Sequence, residues 1–246
     1  MWGVDIARRL VSFSANRRNS GRFQDFSAGW RQRAQRSIQL EENSMYRLAF
    51  AALLAIFAQA ASATTYTLEP NYTQGVLRWD HLGFSYPAAQ FAQGSGTLEF
   101  DERDPTRSSI TVSIPIASLN TGVPDLDEHL KSEDFFEVAK YPTATFVSTR
   151  VEKVMGMNRF KVTGNLTIRE VTRPVMLDVT LLKVGKNART EVATIGFDAK
   201  GTLKRSDFGL GAYVPQVSDE IQLLVTTQAA EAKAQAAYLE AQKTKK

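Results

Sequence analysis

Phe160-Lys161-Val162-Thr163-Gly164-Asn165-Leu166-Thr167-Ile168-Arg169 places apolar or small side chains at every second position and polar ones between them. Successive side chains of an extended strand point to opposite faces, so this stretch reads as a β-strand with one face on a core and one in water. The same period of two recurs at Ile110, Val112 and Ile114, at Val175, Leu177, Val179 and Leu181, and at Ile221, Leu223 and Val225. Strand-like runs also occupy 66–68, 75–79, 96–101, 143–151 and 191–203, which makes eight or nine strands. Turn signals separate them at Asp101-Glu102-Arg103-Asp104-Pro105, Met155-Gly156-Met157-Asn158 and Gly185-Lys186-Asn187. Connections this short favour antiparallel neighbours and an all-β fold. An up-and-down barrel of about eight strands has no free edge and encloses room for a small ligand; a two-sheet sandwich has the same periodicity.

One long interruption, 124–140, is charged and reads as a short helix in a loop. Asp125, Asp127 and Glu128 crowd its first turn and Lys131 follows, as the helix dipole prefers. Residues 229–246 are rich in Ala, Glu, Lys and Gln and form a helical or frayed tail with little to bury beyond Tyr238 and Leu239. The β-domain is expected over 64–228. Gly94-Ser95-Gly96 and Gly209-Leu210-Gly211 fit no phosphate loop or nucleophile elbow and mark bulges or close strand approach.

The composition changes abruptly along the chain. Residues 1–44 hold eight arginines against four acids, which is the whole formal charge of +4, whereas 64–246 hold 21 basic and 22 acidic side chains. The pI near 9.3 is therefore not a property of the β-domain, and nucleic acid drops out as a partner. The absence of cysteine excludes a disulfide scaffold, a thiolate zinc site, an iron–sulfur cluster and cysteine catalysis.

Between these regions, Met45-Tyr46-Arg47 leads an unbroken run of 11 apolar residues from Leu48 to Ala58, followed by Ala61-Ser62-Ala63. A basic start, a short apolar run and a small-x-small site read as a cleaved signal peptide over 45–63, cut between Ala63 and Thr64. A membrane anchor needs about 20 apolar residues, so this is the weaker reading. A signal begins at its own methionine, so Met45 is the expected start and 1–44 an Arg-rich extension, either upstream sequence read in error or a disordered segment. Arg8-Arg9-Leu10 stands too far from the apolar run for a twin-arginine signal, and an organellar transit peptide is a second rival.

Chemistry-bearing residues are sparse. His81 and His129 are the only imidazoles, and Asp125-Leu126-Asp127-Glu128-His129 offers one histidine beside carboxylates already suited to a helix start. No metal site is expected, and the run lacks the glycine and final glutamate of a calcium loop. No enzyme signature is present and no catalytic residue is assigned. Aromatic residues are more informative: Trp79, Phe84, Phe91, Phe100, Phe135, Phe136, Phe146, Phe160, Phe197 and Phe208 sit on strands or beside them, as core or as the lining of an apolar pocket.

Several segments together resemble the YceI family of secreted polyisoprenoid-binding proteins. They include Tyr66-Thr67-Leu68-Glu69-Pro70, His81-Leu82-Gly83, Gly96-Thr97-Leu98-Glu99-Phe100-Asp101, Ser118-Leu119-Asn120-Thr121-Gly122 and His129-Leu130-Lys131-Ser132-Glu133-Asp134-Phe135-Phe136. Lys140-Tyr141-Pro142, Gly164-Asn165-Leu166-Thr167-Ile168-Arg169, Thr172-Arg173-Pro174-Val175, Ser206-Asp207-Phe208-Gly209 and Ser218-Asp219-Glu220-Ile221 continue it, in order, over nearly all of 65–228. The resemblance implies a lipocalin-like antiparallel barrel, export to the periplasm, and binding of a long isoprenoid chain such as a quinone or polyprenyl phosphate. Ser85-Tyr86-Pro87-Ala88-Ala89-Gln90 carries no basic residue, so no head-group contact is expected there.

On this reading the protein is a lipid carrier or a lipid-binding stress-response protein without a cofactor other than its bound isoprenoid lipid or quinone. His81 and Arg205 are expected at the head group, with Trp79, Phe84, Phe91, Phe136, Tyr141 and Phe208 lining the entrance or tunnel. The partners are the isoprenoid lipid and a membrane surface during loading; a homodimer stays open. The rival functions are an enzyme acting on a lipid or quinone through His81 or His129 with a carboxylate, and a filled barrel serving as an interaction module.

Overall fold

The computed structural model describes residues 63–156 and 158–244. The Arg-rich extension over 1–44 and the signal segment over 45–63, apart from Ala63, lie outside the described residues; the first described strand begins at Thr64.

Ten strand segments are present among the described residues: β1 (Thr64–Leu68), β2 (Gln74–Arg78), β3 (Ala88–Phe91), β4 (Ser95–Phe100), β5 (Ser109–Pro115), β6 (Thr143–Lys153), β7 (Arg159–Ile168), β8 (Val171–Lys186), β9 (Ala193–Lys204) and β10 (Glu220–Glu231). They fill eight positions. β1 and β2 are separated by one 3-10 turn, Pro70–Tyr72, and both pair with β10, β2 through its first half and β1 through Ala229, Ala230 and Glu231. β3 and β4 in turn pair with β2 and β1. Each strand from β4 to β10 then pairs antiparallel with the next. The sheet closes on itself as an eight-position meander, so the barrel and not the two-sheet sandwich is the fold.

The decisive stretch behaves as its alternation requires: on β7, Phe160, Val162, Gly164 and Leu166 are buried and Arg159, Lys161 and Asn165 are exposed. β3 is the segment that periodicity did not reveal, because two alanines in four residues give little β-propensity, although Ala89 and Phe91 do face inward. Gly94-Ser95-Gly96 is a close approach as expected: Gly96 has φ +154 and a Cβ there would lie 2.0 Å from the Thr111 carbonyl oxygen. The turn expected at Gly185-Lys186-Asn187 falls later, since β8 runs through Lys186 and Asn187 closes the loop by accepting from the Arg189 and Glu191 amides.

Among the described residues two α-helices accompany the barrel, α1 (Pro124–Lys131) and α2 (Ala232–Lys243). α1 is shorter than the 124–140 segment, whose remainder forms turns. Asp127 holds the loop ahead of the helix, accepting from the Thr121 amide at 2.7 Å and hydroxyl at 2.6 Å. The tail begins later than 229, because Ala229 and Ala230 are fully buried at the β10–β1 closure.

Strand direction sorts the connections to two ends. One end carries the loops 101–108, 154–158 and 187–192 and is filled by Tyr66, Leu68, Leu98, Phe100 and Ile195, with Tyr66–Phe100 and Phe100–Phe197 edge-on at 6.4 and 6.3 Å. The other carries the loops 79–87, 116–142, 169–170 and 205–219, and there the interior opens.

Candidate functional site

The open half of the barrel holds a cavity of about 750 Å³. Natural interiors leave few voids larger than a water, which occupies about 30 Å³ of liquid, so this is a built chamber. Its wall is the inward half of the strand alternation, with Leu77, Val112, Phe146, Leu166, Leu177 and Leu223 each from a different strand. α1 and the turns after it cover part of the mouth with Leu126, His129, Leu130, Phe135 and Phe136, the last edge-on to Phe91 at 5.8 Å. The 205–219 loop supplies the opposite rim, and Tyr213 stacks on Phe135 at 6.4 Å with the His129 ring 5.0 Å from Phe135.

Polar side chains are few along this wall: Thr73, Gln74, His81, His129, Arg205, Tyr213 and Gln216. Several are already engaged. The Thr73 hydroxyl is within hydrogen-bond distance of the Glu69 carbonyl (2.9 Å) and the Thr227 hydroxyl (2.7 Å), and Gln74 accepts from Gln90 at 2.6 Å. No Asp or Glu lines the cavity among the described residues, so neither histidine finds a carboxylate partner on its wall. Among the described residues no three His, Cys, Asp or Glu side chains gather as a metal site. What the chamber offers is apolar volume with polar groups toward the mouth.

The expected site residues divide. Trp79, His81, Phe91, Phe136, Arg205 and Phe208 all border the cavity. Phe84 does not: it is 91% exposed at the tip of the 79–87 hairpin, outside the chamber. Tyr141 does not either; its hydroxyl donates to Glu170 and its ring lies under Lys140 and Arg169 at 4.8 and 5.6 Å, on the outer surface.

Arg205 is buried, and four of its five N–H groups donate to main-chain carbonyls. Nε reaches Ser218 at 2.9 Å, Nη1 reaches Leu210 and Ala212, and Nη2 reaches Val217 at 2.9 Å. Burial pushes the guanidinium pKa down and the nearby Asp219 carboxylate pushes it up; the group stays charged at any ordinary pH. Its geometry serves the 205–219 loop, leaving one Nη2–H for anything in the cavity. His81 is exposed at the hairpin base, where its amide donates to Ser85 at 2.9 Å. Leu126 on the short α1 and the loop residues Tyr213, Gln216 and Val217 escaped sequence reading, because one or two turns of helix and irregular loops carry too little periodicity to mark an inward side.

The sequence profile of the YceI-like domain matches residues 66–229, nearly the whole described barrel. Protein YceI of Escherichia coli O157:H7 is 33% identical over 194 residues, 78% of this chain and 100% of the relative. A UPF0312 protein of Photorhabdus laumondii is 36% identical over 178 residues, 72% of this chain and 91% of its own. The crystal structure of Burkholderia cenocepacia BcnA aligns with TM-score 0.57 at 27% identity, over 64% of this chain and 96% of that one. The Campylobacter jejuni YceI protein aligns with TM-score 0.54 at 34% identity, over 62% and 89%. A polyisoprenoid-binding domain from Saccharophagus degradans shares the fold with TM-score 0.50 at 16% identity, over 68% and 99%. With the barrel closed and the profile spanning it from β1 to β10, the chain belongs to the YceI-like family.

Proposed function

We propose that the protein binds one long-chain isoprenoid lipid in the cavity, with the chain inside and the head group at the mouth, and acts as a carrier or store of that lipid and not as an enzyme. The observation that carries this is a chamber of about 750 Å³, apolar along its wall, closed by packed rings at one end and open at the other. An isoprenoid tail gains about 0.8 kcal/mol for each methylene removed from water, so such a chamber favours a long hydrocarbon over a polar substrate. His81, His129, Tyr213 and Gln216 stand where a quinone ring or a polyprenyl phosphate would emerge. The polyisoprenoid-binding name of the Saccharophagus degradans neighbour agrees with this reading. The signal pattern over 45–63 supports a periplasmic place of work for this carrier.

Organic extraction of the purified protein followed by mass spectrometry tests the reading. A quinone or polyprenol in the extract, and uptake of solanesol by the extracted protein, are the expected results. An empty extract with no uptake defeats it. Light scattering on the same preparations reads whether the chain is a monomer or a homodimer.

A further inference from the structure

We propose that the mouth rim docks on a lipid bilayer with Phe84 as the inserting side chain; this deepens the lipid-binding reading and rests on it. Six of the fourteen exposed large hydrophobic residues among those described, Leu82, Phe84, Tyr86, Val123, Tyr213 and Val214, stand on the loops around the cavity opening. Phe84 is 91% exposed, with Leu82 and Tyr86 at 50% and 59% on the same hairpin. Leu82 also borders the cavity, so the surface that would meet the membrane is continuous with the chamber.

The backbone of this hairpin explains why the occupant is lipid. A segment entering hydrocarbon must satisfy its own amides. The His81 amide donates to Ser85 (2.9 Å), Leu82 to Gln216 (3.1 Å), Gly83 to the Asp80 carboxylate (2.7 Å) and Phe84 to His81 (3.1 Å). A peptide adding as a strand would need free amides, and these are taken. The charge around the mouth is acidic: the loops 79–87, 119–142, 169–170 and 205–219 hold ten Asp and Glu against Lys131, Lys140, Arg169 and Arg205. Docking is therefore driven by apolar insertion, and anionic lipid opposes it within a Debye length.

The test uses the full chain with vesicles of pure phosphatidylcholine and of phosphatidylcholine with phosphatidylglycerol in equal parts. Phe84→Trp should show an added emission component that shifts to the blue on phosphatidylcholine, less so on the anionic vesicles at low salt. Phe84→Ser should lower flotation with phosphatidylcholine about tenfold or more, the loss expected for one aromatic side chain leaving an apolar medium. The same variant should take solanesol from vesicles more slowly while taking it from detergent micelles like the wild type. Unshifted Phe84→Trp emission, or undiminished flotation of Phe84→Ser, overturns the docking. Failure of the wild type to take solanesol from either source overturns the lipid-binding reading instead, and flotation still decides the docking.

Discussion

Gly164 stands on the inner face of β7, and the Phe146 ring occupies the space its missing side chain leaves. A Cβ there would lie 2.3 Å from Phe146 Cζ and 2.7 Å from the Val147 carbonyl oxygen. Phe146 pairs across the sheet with Leu166 and both border the cavity, so a ring pushed off Gly164 alters the chamber wall. Gly164→Ala should cost about 1–3 kcal/mol as overpacking does, read by urea unfolding, and should reduce solanesol uptake. An alanine variant with wild-type stability and uptake contradicts this packing role. Alternation alone marked Gly164 as inward, and it marked Phe91 and Phe208 no better than Phe84. Phe91 follows a strand pleat and Phe84 tops a hairpin, a distinction set by where β2 turns and not by residue type. Arg205 is expected at the head group from the sequence, and its role in holding the loop is not legible there, because the carbonyls it binds come from 210–218 and meet it only in the fold.

The 205–219 loop is an element held by two side chains at its base. Arg205 gathers the carbonyls of Leu210, Ala212, Val217 and Ser218, while Asp219 accepts from the Ser206 amide at 2.8 Å and hydroxyl at 2.7 Å. The Ser206 hydroxyl is the first cause holding the Asp219 carboxyl below its usual value, with Arg205 and Lys204 adding to it against partial desolvation. A carboxylate with a depressed folded-state pKa adds stability above its unfolded pKa, and that share is lost as the pH falls through the folded value. Stability relative to Asp219→Asn should therefore be constant near neutral pH and shrink as the pH drops below about 3.9. The difference is on the scale of about 1 kcal/mol or less for a half-exposed group. Equilibrium unfolding of both proteins across that range checks it, and a gap that persists at the acid end refutes the assignment. Taking the difference also removes Asp104 and Asp127, whose carboxyls are held low by the Thr106 and Thr121 hydroxyls. Regular elements were legible because burial writes a period into them. β3, the outer extent of β8 and this loop were not, since short alanine pairs, exposed strand ends and carbonyl-bonded loops leave no such period.

At the scale of the molecule the barrel is two halves with different tasks. The closed end is packed by Tyr66, Phe100 and Phe197 rings and sealed by the β10–β1 ladder, so it holds the fold without a ligand. The open end trades packing for a cavity of about 750 Å³, and dispersion contacts missing along an unfilled wall are contacts a bound chain can supply. A ligand that binds only the folded state stabilises it by mass action, about 2.7 kcal/mol at a hundredfold excess over Kd. For a domain of this size each kcal/mol moves Tm by roughly 2–4 °C. Extracted protein should therefore melt cooperatively with its β-sheet circular dichroism intact, and added solanesol should raise Tm by roughly 5–10 °C, the shift growing with the logarithm of ligand concentration. A non-cooperative melt of the extracted protein would show that the lipid is part of the core. An unmoved Tm under saturating solanesol would show that this prenol does not enter the chamber.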